Sequence, residues 1–281
     1  MQIKDKTTIR MGFSPCPNDT FILDALVNGK IPVPENLNFE WIIEDVEQLN
    51  RMAINGALDV TKLSFGVVPL ILETYQLLNA GSALGKACGP LLIYKEKPED
   101  LEQALVGIPG WNTTAHFLLK RTYPELGIKK EMLFSDIEDA LLNNEIDLGL
   151  IIHENRFTYQ EKGLKLLADL GELWEKTTNQ HIPLGGFAIK RAFSIDLKRK
   201  INHLIFESLS FGWENPDSSQ VWIKSLSQET DNQVIKKHIS LYVNEFSLDL
   251  GNKGKSAIQH LLDIQIKSDK SQKNNLPLFF D

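Results

Sequence analysis

Apolar residues along the chain come in short uncharged runs that alternate with amphipathic stretches, and this rhythm predicts alternating strands and helices. Ile9 to Phe13 reads as a strand leading to a helix around Thr20 to Val27. Asn38 to Ile43 leads to a helix around Val46 to Ile54, and Val60 to Leu63 to an apolar helix through Leu70 to Leu78. Leu91 to Tyr94 reads as a fourth strand. A charged stretch with Pro98, KEKPEDLEQA, follows, and the rhythm restarts behind it. Leu105 to Ile108, a helix from Thr114 to about Tyr123, a strand near Met132 to Phe134, a helix from Ile137 to Leu142 and a strand from Leu148 to Ile152 make a second series. PLGGFAIKR then supplies a short strand, and the sequence beyond it is strongly helical. The restart and return predict an α/β fold of two lobes, one from residues 1–97 and 187–281 and the other from 98–186, with a cleft between them. Such clefts are preferred sites for small molecules.

Composition narrows the classes. With 281 residues, 42% of them hydrophobic and 24% charged, the chain has ample material for a core. The formal net charge of -7, with basic residues interspersed among acidic ones, argues against a nucleic-acid partner. The charged lead MQIKDKTTIR has no long apolar region of a signal peptide, and no run is long enough to cross a bilayer, so a cytoplasmic location without membrane association is expected. Cys16 and Cys88 form neither a CxxC pair nor a zinc cluster, and the other histidines (His116, His181, His203, His238 and His260) lack paired metal-ligand spacing. These are expected to be structural or exposed, and no metal is expected.

Three strand-to-helix junctions carry the binding chemistry. SPCPNDTF offers Asn18, Asp19 or Thr20 as a helix cap, TKLSF places Lys62, Leu63 and Ser64 at a strand end, and PGWNTTAHF opens a helix with Thr113, Thr114 and Ala115. Helix N-termini present unpaired N–H groups, so two facing junctions make a receptor for a small-molecule carboxylate. Asp19 opposes that reading at the first junction. Phe13, Phe65, Trp111 or Phe157 could line an apolar wall. The most informative residue is His153, where the uncharged run LGLII turns polar. Ligands of open α/β sheets sit beyond the carboxyl ends of strands, and an imidazole there is suited to proton transfer. Arg156, three residues on, is a candidate partner for substrate or for Glu154.

SPCPNDTFILDAL, EDVEQLNR, TKLSF, GPLLIYK, PGWNTTAHFLL, GLIIHENRFTY and YVNEFSLDLG stand in the order and spacing of the 1,4-dihydroxy-6-naphthoate synthase family, which the chain resembles from Gly12 to about Gly251. The resemblance implies a two-lobed, periplasmic-binding-protein-like (type II) fold. It further implies a lyase of the futalosine route to menaquinone, which converts cyclic dehypoxanthine futalosine to 1,4-dihydroxy-6-naphthoate by carbon–carbon cleavage without metal or organic cofactor. By position, His153 then matches the family's catalytic base, Lys62, Leu63 and Ser64 one binding segment, and Thr114 with Ala115 the other. Two alternatives share the architecture: a chorismate-dehydratase-like sister enzyme, and a solute-binding protein without catalysis.

Overall fold

The computed structural model describes residues 6–268 and 276–280. Its first series is β1 (Thr7–Phe13), α1 (Pro17–Val27), β2 (Leu37–Ile43), α2 (Val46–Ile54) and β3 (Val60–Ser64). A 3-10 turn at Phe65–Val67, the short α3 (Val68–Ile71), β4 (Tyr75–Leu77) and β5 (Ala83–Gly85) follow. The second series is β6 (Leu91–Tyr94), β7 (Leu105–Ile108), α4 (Thr114–Thr122), β8 (Ile128–Glu131), α5 (Ile137–Leu142), β9 (Leu148–Ile151), α6 (Asn155–Thr158), β10 (Lys165–Asp169) and α7 (Leu170–Thr178). The chain returns through β11 (Ile182–Lys190) and closes with α8 (Ile195–Glu214), α9 (Gln220–Leu226), α10 (Asn232–Tyr242), α11 (Glu245–Leu248) and α12 (Gly251–Ser268).

Two sheets result. One has the order β2-β1-β3-β11-β4, with β5 also paired to β11, and the other the order β10-β6-β9-β7-β8. β1, β2 and β3 run parallel, as do β7, β8 and β9, because each is joined to the next through a helical crossover. β11 enters antiparallel between β3 and β4. The largest apolar core is shared by both halves, from Leu63 and Phe65 through Val106 and Leu148 to Ile258. A second core lies where β1 meets α1 and α8, and a third where β9 meets α5.

Several elements differ from the pattern. The apolar run 70–78 is not one helix. The helix is confined to Val68–Ile71, and Tyr75–Leu77 pairs with Ala188–Lys190, a neighbour more than a hundred residues away. The strand expected near Met132 is Ile128–Glu131, a charged edge strand beside β7. β6 pairs with β9 and β10, so the chain reaches the second sheet before residue 91, ahead of the charged stretch at 95–104. All of β11 from Ile182 pairs in the first sheet, so the return precedes residue 187. An uncharged strand buried at three of its four positions needs a neighbour on each side, and β6 finds both only there.

Candidate active site

A pocket with a cavity volume of about 90 Å³, continuous with solvent, lies between the two sheets. It is lined from the first half by Ser14, Asn18, Asp19, Val46, Lys62, Leu63 and Ser64, and from the second by Thr113, Thr114, Ala115, Ile152 and His153. Ala83, Cys88, Gly89, Pro90, Leu184, Gly185 and Tyr242 complete it. The expected substrate-contacting segments therefore meet at one cavity. The four expected aromatics do not: Phe13 packs in the core against Trp41 and Trp222, Phe65 is fully buried, Trp111 is 48% exposed, and neither it nor Phe157 lines the pocket. Tyr242, Val46, Ile152 and Leu184 supply the apolar wall instead.

At the first junction α1 begins at Pro17, whose fixed φ and missing N–H suit a first helical position, and Cys16 is the N-cap without a side-chain bond. None of Asn18, Asp19 and Thr20 caps the helix. Asp19 is buried and accepts from Ser14 Oγ (2.7 Å), Asn18 Nδ2 (2.8 Å) and Lys62 Nζ (2.5 Å). Its negative charge is answered inside the protein. Lys62 also donates to the Gly81 carbonyl (3.0 Å) and lies over the Phe187 ring. Two buried charges are tolerable only when paired and hydrogen-bonded in this way. Lys62 is thus a fixed cation beneath the pocket.

The other two junctions interlock. Ser64 N–H donates to Asn50 Oδ1 (2.9 Å), and Asn50 Nδ2 donates to Ser64 Oγ and Glu47. Glu47 in turn accepts from the Asn112 amide (3.1 Å) and side chain (2.6 Å), so α2 holds the loop before α4. Burial pushes the Glu47 carboxyl above its ordinary range, offset by its bonds to Asn50 and Asn112. Gly110, at φ 152°, passes so close that a Cβ would lie 2.5 Å from Glu47 Cγ. Thr113 caps α4 by accepting from the His116 amide (3.1 Å), and it donates to the Gly110 carbonyl. Thr114 Oγ1 accepts from the Gly66 amide (3.0 Å) and donates to the Leu184 carbonyl (2.7 Å). Both threonine hydroxyls are occupied. What remains for an anion is the helix start itself, since Thr114 and Ala115 open α4 with N–H groups that have no intrahelical acceptor.

His153 stands two residues past β9, with φ 61°. A left-handed non-glycine residue is uncommon, Ala87, Asn144 and Asn179 share the conformation elsewhere, and histidine is among the residues that tolerate it. Its ring contacts the Phe134 edge (4.9 Å between centroids) and stacks toward His238 (6.2 Å). Nε2 is shut off from solvent and has no hydrogen-bond partner among the described residues. Burial lowers its pKa to about 4, with Lys62 adding to the effect and Asp19 opposing it. The imidazole is neutral at pH 7 and able to accept a proton.

Behind it lies a group that the sequence pattern missed. His238, fully buried on α10, bonds through Nε2 to Asn18 Oδ1 (2.9 Å), and its Nδ1 is 3.6 Å from Glu154 Oε2. Burial raises the Glu154 carboxyl to about 7, with Glu229 and Glu138 adding to it. Burial and Glu154 likewise push the Cys16 thiol well up. Cys16, His153 and Glu154 bring potential metal-ligand atoms within 4.8 Å of one another. Arg156 does not pair with Glu154. Its guanidinium bonds Asp169 (3.0 Å) and the Gly89 carbonyl, securing the crossing between the sheets.

Comparison with known proteins gives the family and the fold. The family model for menaquinone biosynthesis matches residues 9–266. A 1,4-dihydroxy-6-naphthoate synthase from Streptomyces coelicolor is 40% identical over 260 residues, covering 91% of this chain and 92% of its own. One of the same name from Thermus thermophilus is 39% identical over 253 residues, covering 90% and 92%. Among solved structures, an Archaeoglobus fulgidus protein superposes with a TM-score of 0.87 at 32% identity, covering 94% of this chain and 98% of that one. The alkanesulfonate-binding protein of Xanthomonas axonopodis gives 0.70 at 13% identity, covering 98% and 97%, a likeness of fold alone. The fold is the two-lobed α/β type of the periplasmic binding proteins. No described helix is long and apolar enough to cross a membrane.

Proposed function

The chain belongs to the menaquinone biosynthesis family, and on that premise we propose that it is a lyase that converts cyclic dehypoxanthine futalosine to 1,4-dihydroxy-6-naphthoate, with His153 as general base. The observation that carries the chemical role is the state of that side chain: a neutral imidazole in the pocket wall, its pKa depressed by burial, with one ring nitrogen unpaired. A neutral base of this kind can remove a proton from a carbon or hydroxyl of the substrate and start fragmentation, worth roughly 100 to 10,000 fold in rate. The substrate carboxylate is received by the amides of Thr114 and Ala115 at the start of α4, with Ser64 beside them. Thr113 and Thr114 act through their hydroxyls by holding that helix start in place, and Lys62 and Leu63 by shaping the facing strand end. Asn18 bears on the site through His238, whereas Arg156 serves the scaffold. Closure of the two halves over the substrate would exclude water and position it. The reaction belongs in the cytoplasm and uses no organic cofactor.

Incubation of the purified protein with cyclic dehypoxanthine futalosine, followed by mass spectrometry, tests the reading. Appearance of 1,4-dihydroxy-6-naphthoate is the expected result. Binding of that compound without turnover would point to a solute-binding role, and dehydration of chorismate would point to the sister activity.

A further inference from the structure

Cys16 reaches the site from the first sheet's side, at the start of α1, and His153 and Glu154 reach it from the second, after β9. Their thiol sulfur, ring nitrogen and carboxylate oxygen lie within 4.8 Å of one another. Cys16 is 3% exposed and Glu154 6%. His153 Nε2 and Glu154 Oε2 are both buried and make no hydrogen bond among the described residues, the nearest group to Glu154 Oε2 being His238 Nδ1 at 3.6 Å. Unpaired buried polar atoms are expensive, and two beside a thiol make a ligand set that a bound cation would satisfy.

We propose that Cys16, His153 and Glu154 bind a thiophilic divalent cation of the zinc type, and that occupancy switches the enzyme off. The ligand set argues for the ion. Thiolate with imidazole and carboxylate suits zinc, whereas magnesium and calcium prefer oxygen ligands alone. Zinc sits about 2.0 to 2.3 Å from such atoms, so a spread of at most 4.8 Å closes on one ion with side-chain movements of about 1 Å. Three protein ligands leave a fourth position for water or another small ligand, and of the three only His153 lines the pocket. The nearby Lys62 ammonium is answered by Asp19, which lowers its repulsion of a second cation. Binding displaces the Cys16 thiol proton to solvent, together with the carboxyl proton wherever Glu154 carries one.

Two consequences follow from the geometry. A metal on the His153 ring withdraws electron density from the imidazole, and it takes the lone pair that proton abstraction would use where it binds the same nitrogen. Because the ligands come from both sides of the cleft, the ion also ties the two halves together and hinders exchange of substrate. The inhibitory half rests on His153 being the base, whereas the binding half does not.

The test uses metal-stripped full-length protein and zinc ion itself. Competition against a chromophoric chelator is expected to show one zinc bound per chain. Cobalt(II) in its place is expected to give a thiolate-to-metal charge-transfer band in the near ultraviolet. Cys16→Ser should abolish that band and weaken zinc binding by about 100-fold or more, while Cys88→Ser leaves both unchanged. Glu154→Gln, which preserves side-chain size, should also weaken binding and carries the test should Cys16→Ser fail to fold. Zinc should inhibit turnover over the range in which it binds, with EDTA restoring it. Absence of stoichiometric binding, or binding and a cobalt band unchanged in both variants, overturns the proposal. Binding without inhibition would overturn the inhibitory half alone, leaving the metal site standing, while the assignment of His153 as base is decided separately by the turnover of His153→Asn.

Discussion

Thr114→Val removes a hydroxyl that ties three segments together. In the native protein this hydroxyl accepts from the Gly66 amide and donates to the Leu184 carbonyl, and the residue is 3% exposed. Valine matches threonine in shape, so packing is kept and only the bonds are lost. Each buried partner left unpaired costs about 1 to 3 kcal/mol, partly offset because the hydroxyl itself no longer needs desolvation. The expected loss is about 2 to 4 kcal/mol. For a chain of 281 residues that corresponds to a fall in Tm of roughly 3 to 7 °C. The Gly66 amide cannot move away to find water, because even a Cβ there would stand 2.7 Å from the Thr113 carbonyl carbon, whereas Leu184 lies at the pocket wall and sets the lower end of the range. The assay is urea unfolding, with a lower midpoint at unchanged slope, alongside thermal unfolding. Thr114→Ser keeps the hydroxyl and should recover most of the loss. The variant should also bind substrate more weakly, because the helix start that receives the carboxylate loses its anchor. A stability change below about 0.5 kcal/mol, or a serine variant no better than valine, would refute the bridging role.

His153→Asn keeps a planar polar side chain but cannot accept a proton near neutral pH. Its kcat should fall by roughly 100 fold or more with substrate affinity changed less than about tenfold, and near wild-type turnover in the folded variant would remove His153 as base. With chelator present, kcat/KM should hold through the mildly acidic range and fall toward about pH 4, where the buried imidazole takes up a proton. A midpoint near the ordinary histidine value of about 6.5 would mean that the ring is solvated. Lys62→Met strands the Asp19 carboxylate and should cost about 3 to 5 kcal/mol in denaturant unfolding; Asp19→Asn added to it should recover a large part, and a loss under about 1 kcal/mol would show the pair to be unimportant. Activity should survive exhaustive chelation, and loss with EDTA restored by one divalent ion would mean that the reaction itself requires a metal.

Much of the frame was legible because strand ends are local signals. The runs ending at Phe13, Ser64, Ile108 and Ile151 each close with small polar residues or a sharp turn, and each contributes to the pocket rim. The helix at Thr114 was legible for the same reason, since Thr113 caps it within its own turn. What could not be read depends on partners far along the chain. Tyr75–Leu77 is a strand only because Ala188–Lys190 lies beside it, and an uncharged run without such a neighbour suits a helix equally well. Ile128–Glu131 carries charges because it is an edge strand, and that hid it. His238 gave no signal either. Its meaning comes from Asn18, 220 residues earlier. Cys16 in SPCPNDTF and Glu154 in HENR were in view, but their meeting required both halves of the fold.

The position of β11 sets the order in which a growing chain can complete itself. β3 is finished at Ser64, yet its second neighbour is not made until Ile182–Lys190, roughly 120 residues later. At ordinary synthesis rates that interval lasts on the order of 10 s, far longer than hairpins or helices need to form. All five strands of the second sheet lie within it, from Leu91 to Asp169. The inserted half can therefore close its sheet while the half that hosts it still exposes the unpaired edge of β3 at the ribosome, and an open edge is where a nascent chain is most prone to mispair. A slow-translating stretch placed after codon 190 would do nothing for that edge, whereas faster passage through the insertion would shorten its exposure.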